Sequence, residues 1–261
     1  MTAPTMTLSP IRAIVTGHSR GLGAALAELL LERQIDVFGL GRSAHPTLAA
    51  RGQQASAAQF REAALDLADP AALERWLASG ALRQFAHGAQ CVLLFNNAGT
   101  VEPIAPLGAQ DAGAIARAVT LNVAAPLMLA NALASLEASG HAQDRRIVHI
   151  SSGAARNTYA GWSVYCATKA ALDHHARAVA LDAPLALRIC SIAPGVVDTG
   201  MQATIRATGA DKFPLRERFE QLKESGQLAS PEQAARQLID YVLSDAFGTT
   251  PTADVRELAK G

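Results

Sequence analysis

The chain has 261 residues, 49% of them apolar, and its 23 Lys and Arg are balanced by 23 Asp and Glu. That length and apolarity suit one large α/β domain with a filled core, and the zero net charge speaks against the basic stripe of a nucleic-acid binder. Cys91, Cys166 and Cys190 are odd in number and have no CxxC or Cys/His spacing, which excludes a disulfide framework and leaves a structural metal unsupported.

The opening MTAPTMTLSP has neither the basic nor the apolar region of a targeting signal, and apolar runs elsewhere are broken well short of a membrane span. Residues 1–9 are expected to form a flexible tail, and the cytoplasm is the expected location. From there, short apolar runs alternate with longer segments of helical period. Ile11 to Val15, Ile35 to Leu40, Ala63 to Leu67, Cys91 to Phe95, Arg146 to Ile150 and Leu187 to Ile192 read as strands apolar on both faces. Arg20 to Arg33, Pro70 to Phe85, Asp111 to Leu136 and Trp162 to Leu181 read as helices, the second opened by Asp69 as N-cap and Pro70 at the first position. This rhythm predicts a single Rossmann-type domain over 1–261: a doubly wound parallel sheet with helices on both faces. From Thr199 to about Ser230 the strand signal lapses, and 200–228 reads as a small helical lid over a site. Ser230-Pro-Glu-Gln then restarts a helix with a capping-box pattern.

The first strand runs directly into Thr16-Gly17-His18-Ser19-Arg20-Gly21-Leu22-Gly23 and then into a helix. Glycines permit close backbone approach and a helix N-terminus offers free N–H groups, so this turn suits a pyrophosphate. About twenty residues on, where an NAD enzyme places an acid against the ribose 2′-hydroxyl, the second strand ends in Gly41-Arg42-Ser43. Arg42, supported by Arg20, can pair with a 2′-phosphate instead, which favours NADPH over NADH. A solvated loop arginine is the competing reading.

Ser152, Tyr165 and Lys169 bring a hydroxyl, a phenol and an ammonium into one stretch. Residues four apart share a helix face, so Tyr165 and Lys169 would project together, and an adjacent cation favours phenolate. Chemistry at a carbonyl or alcohol follows. Taken singly, the same residues are ordinary surface neighbours and turn formers. Tyr159 and Trp162 either wall a pocket for a ring-bearing substrate or pack in the core. His174-His175 reads as structural or exposed, Cys166 should face away from Tyr165, and Asn96 serves the sheet while Asn97 is the better ligand candidate.

Taken in order, TGxxxGxG at Thr16 to Gly23, Asn96-Asn97-Ala98-Gly99 after the fourth strand, Asn122 in a long helix, Ser152, YxxxK at Tyr165 to Lys169 and Pro194-Gly195-Val196-Val197-Asp198-Thr199 resemble the short-chain dehydrogenase/reductase family. The stretches around Val15 to Gly23, Ser151 to Cys166 and Pro194 to Gln202 resemble its sepiapterin reductase and bacterial benzil reductase branch, which reduces ketones and vicinal diketones with NADPH. The resemblance implies that Tyr165 protonates the carbonyl oxygen, Ser152 donates a second hydrogen bond to it, Lys169 lowers the Tyr165 pKa and holds the nicotinamide ribose, and Asn122 fixes a water leading to Lys169. It implies NADPH/NADP+ contacts from Gly17, Ser19, Arg20, Gly21, Leu22, Gly23, Arg42, Asp66 (adenine), Asn97, Ala98, Gly99, Tyr165, Lys169, Pro194, Gly195, Val197 and Thr199 (carboxamide). Met201, with Tyr159 and Trp162, is a substrate candidate. Asp254 would match the acid with which sepiapterin reductases hold their pterin, against the reading of a surface carboxylate near the chain end.

The implied partner is a small-molecule carbonyl, with neither nucleic acid nor membrane. A homodimer or homotetramer is expected, through helices Asp111 to Leu136 and Trp162 to Leu181. An acyl-carrier 3-ketoreductase, an alcohol dehydrogenase and a catalytically silent NADP-binding regulatory protein are the alternatives.

Overall fold

The computed structural model describes residues 11–45, 47–48, 58–136 and 144–258; the expected tail at 1–9 lies outside them. Its apolar runs become β1 (Ile11–Thr16), β2 (Asp36–Gly41), β4 (Cys91–Asn96), β5 (Asp144–Ile150) and β6 (Leu187–Ala193), each within a few residues of its expected place. With β3 (Phe60–Ala64) and β7 (Thr252–Asp254) they form one parallel sheet in the order β3-β2-β1-β4-β5-β6-β7. The crossover between β3 and β4 places the switch in strand order beside β1, where open α/β sheets bind ligands at their carboxyl ends.

Alternate residues of the central strands face opposite layers. Val15, Leu93, Phe95 and Ile192 pack under α1 (Gly21–Glu32) and α9 (Pro231–Leu243), while Ile14, Leu94, Ile147 and Ile189 pack under the helices of the other face. Burying one such side chain fully contributes roughly 1.5–3 kcal/mol, so this two-sided burial and not helix propensity holds the layers. The other face carries α2 (Pro70–Ala78), α3 (Ala81–Ala86), α4 (Ala112–Val119), α5 (Ala125–Ala134) and α6 (Ser163–Asp182). Asp69 caps α2, accepting the Ala72 N–H at 3.0 Å, and Ser230 with Gln233 forms the expected capping box of α9.

Four expectations are corrected. The third strand lies at Phe60–Ala64 and not at 63–67, because an edge strand is covered on one side only and reads as half-polar FREAA. The helix expected over 70–85 breaks where Gly80 adopts φ 79. The helix expected over 111–136 is interrupted by a π-turn at Thr120–Ala124 that joins α4 to α5. That joined helix, Ala112–Ala134, is also long and apolar enough to cross a membrane, against the expectation that no run reaches that length. Here Ala118, Ala125, Pro126, Leu129, Ala130 and Leu133 are buried, Leu121, Met128, Ala132 and Ala134 are partly buried against the same layer, and Val119 is exposed. The three-residue β7 had no counterpart in the sequence reading; it pairs Ala193 with Asp254 at the far edge.

The lid segment contains two helices, α7 (Gly200–Ala207) and α8 (Arg216–Glu224). Its far end returns to the sheet through Ala229, which pairs with Val197.

Candidate active site

The residues singled out by sequence gather along one edge, at the carboxyl ends of the strands. After β1 the chain turns at Gly17 and enters α1 from an extended Arg20 that makes no side-chain cap, leaving the first N–H groups of the helix without a partner from that side chain. Gly23 is required sterically: a Cβ there would lie 2.1 Å from the Gly17 carbonyl oxygen and 2.5 Å from Asn97 Nδ2. The turn is pinned from β4, because Thr16 Oγ1 accepts the N–H groups of Asn97 and Ala98, both at 2.9 Å. Asn97 Nδ2 donates to the Thr16 carbonyl at 2.9 Å. The Asn97 amide nitrogen thus holds the glycine turn. Asn96 serves the sheet as expected, donating to the Pro126 carbonyl and to His149 Nδ1.

Arg20 and Arg42 are exposed and carry no ion pair among the described residues. Asp66 lies two residues past the end of β3, where its Oδ1 accepts the Ala68 N–H at 3.0 Å and its Oδ2 is 3.5 Å from Arg117. Beyond β6, Gly195 turns with φ 77, Val197 is buried, and Thr199 opens α7 against the glycine turn, such that a Cβ on Gly21 would come within 3.2 Å of its Cγ2.

Ser152 follows β5 and caps the short turn Gly153–Ala155, accepting the Ala154 N–H at 3.1 Å. Tyr165 and Lys169 lie one turn apart on α6, both buried, with Lys169 Nζ 5.7 Å from the centre of the Tyr165 ring. Burial pushes the Tyr165 phenol up to about 12, opposed by a hydrogen bond from Ser152. Burial also pulls the Lys169 ammonium down to about 8, against the attraction of Asp173. Desolvation of the phenol dominates its shift, and Lys169 Nζ donates to the Ile150 carbonyl at 2.8 Å. Asn122 sits in the π-turn, a frequent sign of a functional site. Its amide is fully engaged, accepting from Thr100 N–H and donating to the Thr100 carbonyl, each at 2.8 Å, and donating to Thr168 at 3.1 Å. Asn122 Oδ1 and Lys169 Nζ meet at Gly99, where a Cβ would lie 3.2 and 3.7 Å from them.

Sequence reasoning missed the group that holds this edge together. Asp173, buried one turn beyond Lys169, accepts from Ser151 and Ser191 hydroxyls at 2.7 Å each and from Arg156 Nε at 3.1 Å. Arg156 donates onward to the Ala253 carbonyl, so one carboxylate ties α6 to β5, β6 and β7. The signal was available: an acid four residues after Lys169 faces the same side of the helix.

The lid is fastened by aromatic rings. Trp162 is buried and stacks on Phe213 at 4.7 Å, with Phe219, Tyr159 and Tyr165 around it. Trp162 thus takes the packing role, while half-buried Tyr159 also lines a surface hollow of about 480 Å³ with Asn157 and Cys166. Cys166 lies on that outer side, as expected, and Met201 packs at the rim of the cluster. Asp198 anchors both lid helices, accepting from Lys223 of α8 and lying 3.9 Å from Arg206 of α7. His174 is exposed and His175 pairs with His149 at 3.1 Å, a structural role. Asp254 is not the surface carboxylate of the competing reading. It is buried on β7 and bonded by Arg256 at 2.8 Å, which holds its carboxyl below the usual range.

The parallel sheet, the glycine turn and the Ser–Tyr–Lys set define the class, and the comparisons agree. The chain belongs to the short chain dehydrogenase family, whose model matches residues 12–210. It is an oxidoreductase acting on carbonyl and alcohol groups with a nicotinamide cofactor. Among its relatives, benzil reductase ((S)-benzoin forming) of Bacillus cereus is 34% identical over 237 residues, covering 90% of this chain and 94% of the relative. Sepiapterin reductase of Meriones unguiculatus is 31% identical over 242 residues, covering 90% and 92%. A crystal structure of a short-chain dehydrogenase/reductase from Burkholderia vietnamiensis is 56% identical, with TM-score 0.68, covering 97% of this chain and all of that one.

Proposed function

We propose that this protein is an NADPH-dependent reductase of a ketone or 1,2-diketone, benzil- or sepiapterin-like in kind. One observation carries the reading: a buried phenol that keeps its proton at neutral pH, hydrogen-bonded by Ser152 and set one helical turn from a buried lysine. A protonated phenol can donate to a substrate oxygen as negative charge develops there, which is the proton step a reduction needs.

The residues present fit a dinucleotide. The glycine turn leaves N–H groups at the start of α1 for a pyrophosphate, from Gly17 and Ser19 through Gly23. Exposed Arg42 and Arg20, with no carboxylate partner among the described residues, suit a 2′-phosphate. Asp66 would meet the adenine amino group, Asn97 to Gly99 the adenosine side, and Pro194, Gly195, Val197 and Thr199 the nicotinamide end. The nicotinamide supplies the hydride.

Tyr165 gives its proton to the substrate oxygen while Ser152 bonds the same oxygen, both acting where negative charge develops. Lys169 places a cation beside the forming phenolate and holds the ribose hydroxyls. Asn122, its side chain committed, fixes Thr100 and Gly99 beside Lys169. The water that the family resemblance implies would then rest on the Asn122 main chain, freed by the π-turn. The lid, 200–228, closes the substrate side through Met201 and the rings around Trp162; Asp254 would meet a polar substituent only after releasing Arg256. The exposed part of Ala112–Ala134, next to α6, suits a second copy of the chain in a homodimer or homotetramer.

The test is NADPH oxidation with a panel of 1,2-diketones, quinones and pterins. Turnover of at least one diketone or pterin is expected, faster with NADPH than NADH. Inertness toward all of them would discard the substrate class, and equal use of both cofactors would discard the ribose reading.

A further inference from the structure

His18, the second residue of the glycine turn, is a polar side chain with almost no exposure, 1%, in a place where the turn needs none. Its ring lies over β2, and the strand makes room for it. A Cβ on Gly39 would come within 2.5 Å of the ring, and one on Gly41 within 3.5 Å of Nδ1. Phe60 flanks the ring at 5.7 Å, and Nε2 meets Glu62 Oε2 at 2.9 Å. Gly39, Phe60 and Glu62 share that face, since Gly39 pairs with Glu62 across the β2–β3 ladder.

Glu62 is also tied to the loop that leaves β2. The same Oε2 accepts the N–H of His45, three residues past Arg42 in the loop that leaves β2. An acid at the end of the second strand is what dinucleotide-binding folds use to hold the 2′-hydroxyl of NAD, and such a charge repels a 2′-phosphate. This chain carries its acid on the neighbouring strand, and His18 is bonded to it. Arg42 and Arg20 are exposed, and His45 lies in the loop bonded to Glu62.

We infer that His18 is a cofactor-specificity residue: by binding Glu62 under β2 it withdraws that carboxylate from the adenosine ribose and leaves the site to Arg42, so that a 2′-phosphate monoester is accepted. This rests on the NADPH reading above and deepens it. Gly39 and Gly41 belong to the same device, because any larger side chain at Gly39 would displace the ring.

The experiment measures binding of NADPH and NADH to the wild type, His18→Phe, Glu62→Gln, the double variant and Arg42→Ala by quenching of tryptophan fluorescence. His18→Phe keeps a ring in the space and takes away the side-chain partner of Glu62, leaving it only the longer bond from His45 N–H; the NADPH to NADH affinity ratio is expected to fall about tenfold, as for a like charge brought near a phosphate. Adding Glu62→Gln restores the ratio to within about twofold of wild type, because the freed charge is gone. Glu62→Gln alone holds or raises the ratio. If His18→Phe weakens both cofactors equally, or if Glu62→Gln fails to rescue, His18 only packs the turn and the inference is overturned. Should Phe not be accommodated, His18→Ser tests the same coupling. A ratio unchanged in Arg42→Ala with a working His18–Glu62 cycle would remove the role of Arg42 alone, whereas a wild type without NADPH preference would remove both.

Discussion

Lys169 holds its ammonium where the fold least favours a charge, and this makes its removal an informative perturbation. Its pKa falls from 10.5 to about 8 through burial. The folded chain therefore binds fewer protons than the unfolded chain between those values, and stability rises with pH across the window. Below pH 8 the full cost of the buried charge is present, and at roughly 1.4 kcal/mol for each pH unit of the difference it amounts to about 3 kcal/mol. Lys169→Met removes that cost but strips the Ile150 carbonyl of its Nζ donor, a loss of about 1 kcal/mol. The variant is expected to be about 2 kcal/mol more stable than wild type at pH 7 and no more stable above pH 10.5, while losing nearly all turnover. Urea unfolding at pH 7 and pH 11, followed by tryptophan fluorescence, gives both differences. A variant less stable at pH 7, or a difference independent of pH, would refute the reasoning.

Three further outcomes follow from the geometry. Gly23→Ala places a Cβ 2.1 Å from the Gly17 carbonyl oxygen; cofactor binding should be lost by titration while the circular dichroism of the sheet and helices persists. Asp173→Ala takes the acceptor away from Arg156 Nε and two serine hydroxyls and should destabilise the chain by about 3–5 kcal/mol in denaturant unfolding, with Asp173→Asn recovering part of the loss. Phe213→Ala removes a fully buried ring stacked on Trp162, at a local cost of about 3–5 kcal/mol. Because that ring fastens the lid, KM for substrate should rise more than kcat falls, and a variant with unchanged KM would show that the lid does not depend on it.

Much of the site was legible because its residues sit at the ends of strands that announce themselves. Buried parallel strands read as unbroken apolar runs, so the positions of Gly17, Arg42, Asn97, Ser152 and Thr199 followed from where those runs stop. The edges were harder to read. β3 is half-polar because only one neighbour covers it, and β7 is three residues whose pairing with Ser191 to Ala193 no local pattern announces. The π-turn at Asn122 has no signature of its own, since a fifth-residue hydrogen bond is chosen by packing against Gly99 and Lys169. His18, Asp173 and Arg156 looked like ordinary polar residues because their partners lie far along the chain: Glu62 for His18, Ser191 for Asp173 and Ala253 for Arg156. The pKa of Tyr165 shows the same limit. Spacing brought a cation next to the phenol, whereas burial, which spacing does not reveal, sets the direction of its shift.

The central claim is that Tyr165 delivers the proton in NADPH-driven carbonyl reduction, and Tyr165→Phe tests it most directly because only the hydroxyl is removed from a packed ring. Single-turnover oxidation of NADPH with a 1,2-diketone should slow by about 10²–10⁴-fold while NADPH affinity stays near that of wild type. Full turnover in Tyr165→Phe would contradict the account.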